Sequence, residues 1–248
     1  MLFRSAVNQE VINQQLSLLG HQADIACDGH EAWVRWMTGR YDLLLTDIHM
    51  PRMDGYQLTQ AIRDEEAKSG RSRTIIIALT AIAMKGEAER CKALGIDDYL
   101  SKPAPLSELR AMLEKWLSIR ATTNNDVSPI NEVITPEQPE LPDWDPQALN
   151  QIVGADPLLH QRFRSRFMET AHPQLETLRA AMASHDIKTL GFTAHALKSS
   201  ARAIGALRLG ECCQRLESAS KAGDESACKL LLPELLEAFI RVENIIAD

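Results

Sequence analysis

Three short apolar runs of this 248-residue chain end in groups that could act together on a phosphoryl group. Asp42 to Thr46 leads to Asp47, Thr74 to Leu79 leads to Thr80, and Asp98 to Ser101 leads to Lys102. If those runs are neighbouring parallel strands, a carboxylate, a hydroxyl and an ammonium meet beyond their carboxyl ends, where doubly wound sheets collect their chemistry. Asp47 would supply a nucleophilic oxygen, Thr80 a hydrogen bond to one phosphoryl oxygen, and Lys102 a cation for another. Singly, an Asp there is ordinarily a turn former or cap, a Thr makes local hydrogen bonds, and a Lys is solvated. The concordance of the strand ends is what points to chemistry. A further candidate is His195: at 100° per residue it falls well away from the stripe Ile187, Leu190, Ala194, Leu197, Ala201 and Ile204, on a face with Lys188, Lys198, Ser199 and Arg202. His195 is therefore expected to be exposed. Gly191 and Ser199, one turn to either side, would let a partner surface approach it, and Lys198 and Arg202 would favour an anionic group.

Elements must hold these groups in place, and the patterning supplies them. The three runs have the length of buried parallel strands, and Gln22 to Cys27 reads as another. Between them the spacing predicts helices over Asn8–Leu19, Glu31–Arg40, Tyr56–Glu66, Lys85–Leu94 and Leu106–Leu117, with Gly20 and Gly95 as stops. Strands alternating with helices imply a doubly wound α/β domain over residues 1–117. From 118 to 143 periodicity stops and Pro129, Pro136, Pro139 and Pro142 punctuate a polar stretch, which reads as a linker. From 144 to 248 every segment is helical, with Asp145-Pro146 and Asp156-Pro157 as cap-then-proline starts, so the second domain is expected to be an antiparallel helical bundle. The length suits two domains, each burying its own core.

Composition removes several classes of function. With 34 acidic against 27 basic residues the net charge is −7, unlike a nucleic-acid binder with its basic face. The five cysteines show neither CxxC pairing nor zinc spacing, and read as reduced thiols of a cytoplasmic protein. No apolar run approaches the length of a membrane span, so no membrane contact by this chain is expected.

The run Leu43-Leu44-Leu45-Thr46-Asp47-Ile48-His49-Met50-Pro51-Arg52-Met53-Asp54-Gly55 resembles the phosphoacceptor segment of response-regulator receiver domains. Ala78-Leu79-Thr80-Ala81 and Asp98-Tyr99-Leu100-Ser101-Lys102-Pro103 resemble the later signatures of that family, in the same order. The resemblance implies that Asp47 is the phosphorylated residue, that Thr80 and Lys102 contact the phosphoryl group, that Thr80 and Tyr99 form a switch, and that the Lys102–Pro103 bond is cis. It also implies a Mg²⁺ ion held by Asp47, by the backbone carbonyl of His49 and by two adjacent acidic residues ending a first strand. Phe3 and Arg4 stand where those acids would be, so the first strand is expected to be largely missing and Mg²⁺ binding weak.

In the second half, Ala194-His195-Ala196-Leu197-Lys198-Ser199-Ser200-Ala201-Arg202-Ala203-Ile204-Gly205-Ala206, followed by Leu209, Cys212 and Leu216-Glu217, resembles the signature of histidine-containing phosphotransfer (HPt) domains. The resemblance implies that His195 is phosphorylated, that Lys198 assists, and that the remaining residues pack. His21, His30, His49, His160, His172 and His185 read as surface or loop residues.

A receiver followed by a phosphotransfer bundle is similar to the C-terminal part of unorthodox hybrid sensor kinases. It implies a phosphorelay from a sensor histidine kinase through Asp47 and His195 to the receiver of a downstream response regulator. The sequence carries no kinase signature of its own, so phosphate would enter from a separate or detached kinase domain, on the cytosolic side of a membrane-bound sensor. The rival reading is a receiver that no longer accepts phosphate and serves as an interaction module for an active bundle; a truncated or misassigned start would equally explain Phe3 and Arg4.

Overall fold

The computed structural model describes residues 6–39, 41–50, 52–80, 91–119 and 142–247. The first half begins with α1 (Ala6–Leu18) and α2 (Gly29–Trp36), then β1 (Leu43–Asp47), α3 (Gly55–Ser69), β2 (Ile75–Thr80), β3 (Asp98–Ser101) and α4 (Leu106–Ile119). The strands pair in parallel in the order β1-β2-β3. Their side chains alternate between two layers, as a period of two requires. Leu44, Ile48, Ile76 and Ala78 pack with Trp36, Leu58 and Ile62 of α2 and α3. Leu45, Ile77, Leu79 and Leu100 pack with Ile12 and Leu16 of α1 and with Leu109 and Leu113 of α4. The expected α/β class and β3 are found as read, with the other strands displaced by one residue.

Local chemistry starts these helices where they start. Asp54 accepts a hydrogen bond from Gln57 N while the Gln57 side chain accepts from Asp54 N, a reciprocal cap that fixes the chain just beyond Asp47. Asp28 caps α2 through Glu31 N.

Two expectations are corrected here. Gln22 to Cys27 is not a strand: only Ala26 makes a bridge, because extended chain becomes a ladder only where a neighbour takes up its N–H and C=O groups along its length. The Asp145 side chain does not start a helix. It accepts from Gln147 N and holds a turn, and the helix begins at Ala148. Most of the expected helix Lys85–Leu94 lies outside the described residues, although Cys91–Ala93 are helical. So do the greater part of the linker reading and Phe3 and Arg4.

Every regular element among the described residues of the second half is a helix: α5 (Ala148–Val153), α6 (Pro157–Ala183), α7 (Ile187–Ile204), α8 (Leu207–Ala222) and α9 (Glu225–Ala247). Asp156 caps α6 through Leu158 N with Pro157 in the first turn, as expected. Turns of two or three residues join α6 to α9, which makes successive helices antiparallel neighbours. Phe163, Phe167, Leu190, Leu197, Leu216 and Phe239 fill their common core.

The cores of the two halves are not separate. Val7 and Val11 of α1 are buried in the same cluster as Leu149, Ile152 and Phe163 of the bundle. Ile12 and Leu16, roughly 140° around the helix, face the sheet instead. Gln15 falls between the two stripes, and its amide donates to Ala104 O and Ile152 O, both at 2.8 Å. Arg162 of α6 reaches Glu10 at 2.5 Å. The expectation of independent cores fails because α1 is apolar on two faces.

Candidate functional site: an aspartate and a histidine across one interface

Register brings the three strand ends together. Asp47 pairs across the ladder with Leu79, and Thr80 with Ser101, so Asp47, Thr80 and Lys102 lie at one edge of the sheet. Lys102 N donates to Thr80 O at 2.6 Å, and the Lys102 ammonium donates to Asp47 Oδ2 at 2.6 Å. The Lys102–Pro103 bond is cis. Asp47 Oδ1 accepts from His49 N at 3.2 Å. Asp47, Thr80 and Lys102 are all withdrawn from bulk water, which strengthens charge interactions within the crevice. Gly55 closes it: a Cβ there would lie 2.4 Å from Asp47 O, so only glycine lets the start of α3 approach this closely. Tyr99 is half-buried opposite Ala78 and packs against the α2–α3 layer.

The described donor set does not fit Mg²⁺. That ion demands several oxygen ligands in near-octahedral geometry. Both Asp47 oxygens are engaged, one by Lys102 and one by His49 N, and no group of three His, Cys, Asp or Glu side chains with metal-binding geometry occurs among the described residues. Positions 3 and 4 are Phe and Arg, which carry no carboxylate.

His195 is where the sequence reading fails most instructively. It is 5% exposed, not solvated, and Lys198 and Ser199 beside it are buried too. The His195, Lys198 and Ser199 part of the face that looks polar on a helical wheel is packed against α8, while Lys188 stays exposed. His195 Nδ1 lies 2.9 Å from Glu217 Oε1, Lys198 donates to Glu217 Oε2 at 2.7 Å and to Gln214 Oε1 at 2.9 Å, and Lys221 reaches Glu217 Oε1 at 2.6 Å. Gly191, expected to admit a partner, instead admits α8: a Cβ there would lie 2.2 Å from Ser220 Oγ.

Charge follows from this packing. Burial alone would raise the Glu217 carboxyl, but hydrogen bonds and charge from His195, Lys198 and Lys221 outweigh it and hold the group well below the usual carboxylate range. Burial pushes the Lys198 ammonium down, against the opposing pull of Glu217. An ionised carboxylate only accepts hydrogen bonds, so the proton between Glu217 and His195 sits on Nδ1. In neutral His195 the lone pair is then on Nε2, which is buried and has no hydrogen-bond partner among the described residues.

The first half reaches the same ring. The His49 ring meets the His195 ring edge to face, with centroids 5.4 Å apart. His49 is two residues beyond Asp47, so their Cα atoms are within about 7 Å. His49, Met50 and Asp54 from the sheet edge line one cleft with His195, Glu217 and Lys221 from the bundle. The sequence reading gave His49 a place only through its backbone carbonyl and Glu217 only a packing role, so neither side chain was placed in the site. For Glu217 the available signal was a carboxylate beside the apolar residues Leu209, Cys213 and Leu216 of α8; for His49 none existed, because its partner lies in the other half.

Comparison with known proteins matches both halves. Residues 5–114 match the response regulator receiver domain and residues 162–245 the Hpt domain. The sensor protein GacS of Pseudomonas syringae pv. syringae is 32% identical over 203 residues, which are 82% of this chain and 22% of that protein. The virulence sensor protein BvgS of Bordetella pertussis is 29% identical over 201 residues, 80% of this chain and 16% of that protein. The chain thus spans less than a quarter of the length of either relative. The receiver domain of sensor histidine kinase PA1611 from Pseudomonas aeruginosa PAO1, crystallised with magnesium in its active-site cleft, is 39% identical with a TM-score of 0.42, covering 47% of this chain and 94% of that domain. With both family matches falling on the two halves described above, the chain belongs to the response regulator receiver family over residues 5–114 and to the Hpt family over residues 162–245.

Proposed function

We propose that the chain is a two-site phosphoryl carrier in which Asp47 takes phosphate from a sensor kinase phosphohistidine, His195 takes it from Asp47, and a downstream response regulator takes it from His195. The observation that carries this reading is the contact of His49 with His195, which sets Asp47 and His195 on two sides of one interface. In the internal step the His195 Nε2 lone pair attacks the phosphorus of the Asp47 acyl phosphate, the P–O bond to Asp47 breaks, and Asp47 leaves as a carboxylate paired with Lys102. His195 becomes a phosphorylated imidazolium whose Nδ1–H donates to ionised Glu217, whose charge matches the one that develops. Thr80 and Lys102 hold phosphoryl oxygens on the receiver side, Thr80 and Tyr99 respond to them as a switch, and Lys198 keeps Glu217 in place. The functional units are a receiver over 1–117, a linker over 118–143 and a phosphotransfer bundle over 144–248, working on the cytoplasmic face of a sensor system; no described helix is long and apolar enough to cross a membrane.

The test is kinase-driven labelling of the full chain. Asp47→Asn abolishes phosphate on His195 when a sensor kinase is the donor, and retention of that label would overturn the route. One observation favours a second reading, in which the receiver half accepts phosphate poorly and mainly organises the bundle: the described residues around Asp47 do not form a Mg²⁺ site.

A further inference from the structure

The segment between β1 and α3 carries His49 to the His195 ring, and none of its described residues belongs to a helix or strand. Its ends are held by backbone groups: His49 N donates to Asp47 Oδ1 at 3.2 Å, and Gly55 N donates to Ile48 O at 2.9 Å. Farther along, it is held by the start of α2. Met53 lies so close to that helix that a Cβ on Gly29 would meet Met53 O at 2.4 Å. Beside it the Arg52 guanidinium pairs with Asp28, the residue that caps α2 through Glu31 N. The Asp28 side chain is 1% exposed and that of Arg52 73%, so the carboxylate is the fixed partner and the arginine reaches in to it. Arg52 also has φ +64°, the left-handed region that few side chains other than Asn and Asp enter readily. Such a conformation persists only where the surroundings impose it, and here the pair with Asp28 and the seat of Met53 on Gly29 do so.

We propose that Arg52 is a positioning residue for transfer between Asp47 and His195, its ion pair with Asp28 holding the loop in the shape that sets His49 against the His195 ring. This role rests on the reading of the chain as a two-site carrier. Group transfer tolerates little misplacement: a shift of about 1 Å can slow it on the order of a hundredfold. A loop freed at Arg52 keeps the hydrogen bonds of His49 N and Gly55 N, so Asp47 keeps its own surroundings while the contact with the bundle loosens.

Two substitutions remove the pair and spare the fold. Arg52→Gly also removes the strain of a left-handed side chain, and Asp28→Asn keeps an oxygen to cap α2. Both variants melt within about 2 °C of the wild type. In rapid-quench labelling of the full chain by a sensor kinase, each gains phosphate on Asp47 within about twofold of the wild-type rate and passes it to His195 roughly tenfold or more slowly. The double variant is no slower than either single one, and Arg52→Lys, which keeps the charge, passes phosphate at close to the wild-type rate. Unchanged passage, additive single effects, or equal losses in gain and passage overturn the proposal. A second measurement needs no phosphate. In NMR of the full chain with labelled histidines, the His195 ring resonances move in Arg52→Gly and return in Arg52→Lys, as the His49 ring leaves and regains its edge-to-face contact. Resonances unmoved in Arg52→Gly overturn the proposal as well. Resonances that move and return while wild-type His195 takes no phosphate from Asp47 leave the role of Arg52 in placing the loop intact and sink the carrier reading, so the two failures are distinguishable.

Discussion

Replacing Glu217 by Gln perturbs the centre of the bundle with almost no change of shape. The carboxylate serves His195 at 2.9 Å and Lys198 at 2.7 Å, and both Glu217 and Lys198 are nearly fully buried. Removing the group outright, as in Glu217→Ala, strands a buried ammonium, a loss of about 3–5 kcal/mol that takes much of the roughly 5–15 kcal/mol stabilising an ordinary domain. Gln keeps one oxygen but turns an NH₂ toward a donor, which costs about 1–3 kcal/mol. The pH dependence carries the sign. The folded carboxyl is depressed below its ordinary value of 4.5, so its contribution is complete above pH 4.5 and is lost as pH falls below it. Thermal unfolding of wild type and Glu217→Gln therefore shows a gap in Tm at pH 7 that narrows steadily below pH 4.5. In phosphotransfer, the Gln amide can donate to Nδ1 and move the imidazole proton to Nε2, so labelling of His195 slows about a hundredfold. A Tm gap that is constant with pH, or transfer at the wild-type rate, would refute the placement of the charge on Glu217.

Other outcomes follow from the same geometry. His195→Gln abolishes acceptance of phosphate from a phosphorylated receiver while leaving thermal unfolding within about 1–2 kcal/mol of wild type, since Gln still donates to Glu217; phosphate recovered on the variant bundle by mass spectrometry at neutral pH would remove His195 from the mechanism. Limited proteolysis cuts first within 118–143, and the two products co-elute in size-exclusion chromatography because α1 is part of the bundle core; separate elution would contradict the shared core. Acetyl phosphate labels Asp47 weakly and with little response to Mg²⁺, because the group must enter beside the anions Asp47 and Asp54 with Lys102 as the cation paired to Asp47. Rapid labelling that depends strongly on Mg²⁺ would favour a complete metal site.

The sheet edge was legible because each of its features is local. Buried parallel strands are continuous apolar runs, and a register that sets Asp47 against Leu79 and Thr80 against Ser101 gathers the residues just past them. The misread parts depend on neighbours. Gln22 to Cys27 has the composition of a strand and, apart from one bridge at Ala26, not the pairing; α1 reads as one amphipathic helix and carries two buried faces.

His195 shows the limit in its sharpest form. A helical wheel measures distance from the helix's own apolar stripe, but burial depends on what the rest of the chain lays over the remaining face. The sequence did hold a sign of that cover. Apart from Lys188, Lys198 and Arg202, α7 is built almost entirely from small and apolar residues, with Gly191, Ala194, Ala196, Ser199, Ser200, Ala201 and Ala203 distributed all round it. A helix without a wide charged face is surrounded, and small residues bring the surrounding backbones close. Within such a helix a Lys is paired and a His is hydrogen-bonded, so the question to ask of the sequence was where their carboxylate lay. A search for an acidic residue flanking the apolar positions of the next helix answers it with Glu217, which takes the Nδ1 side of the buried imidazole while the His49 ring of the first half meets the same imidazole edge to face.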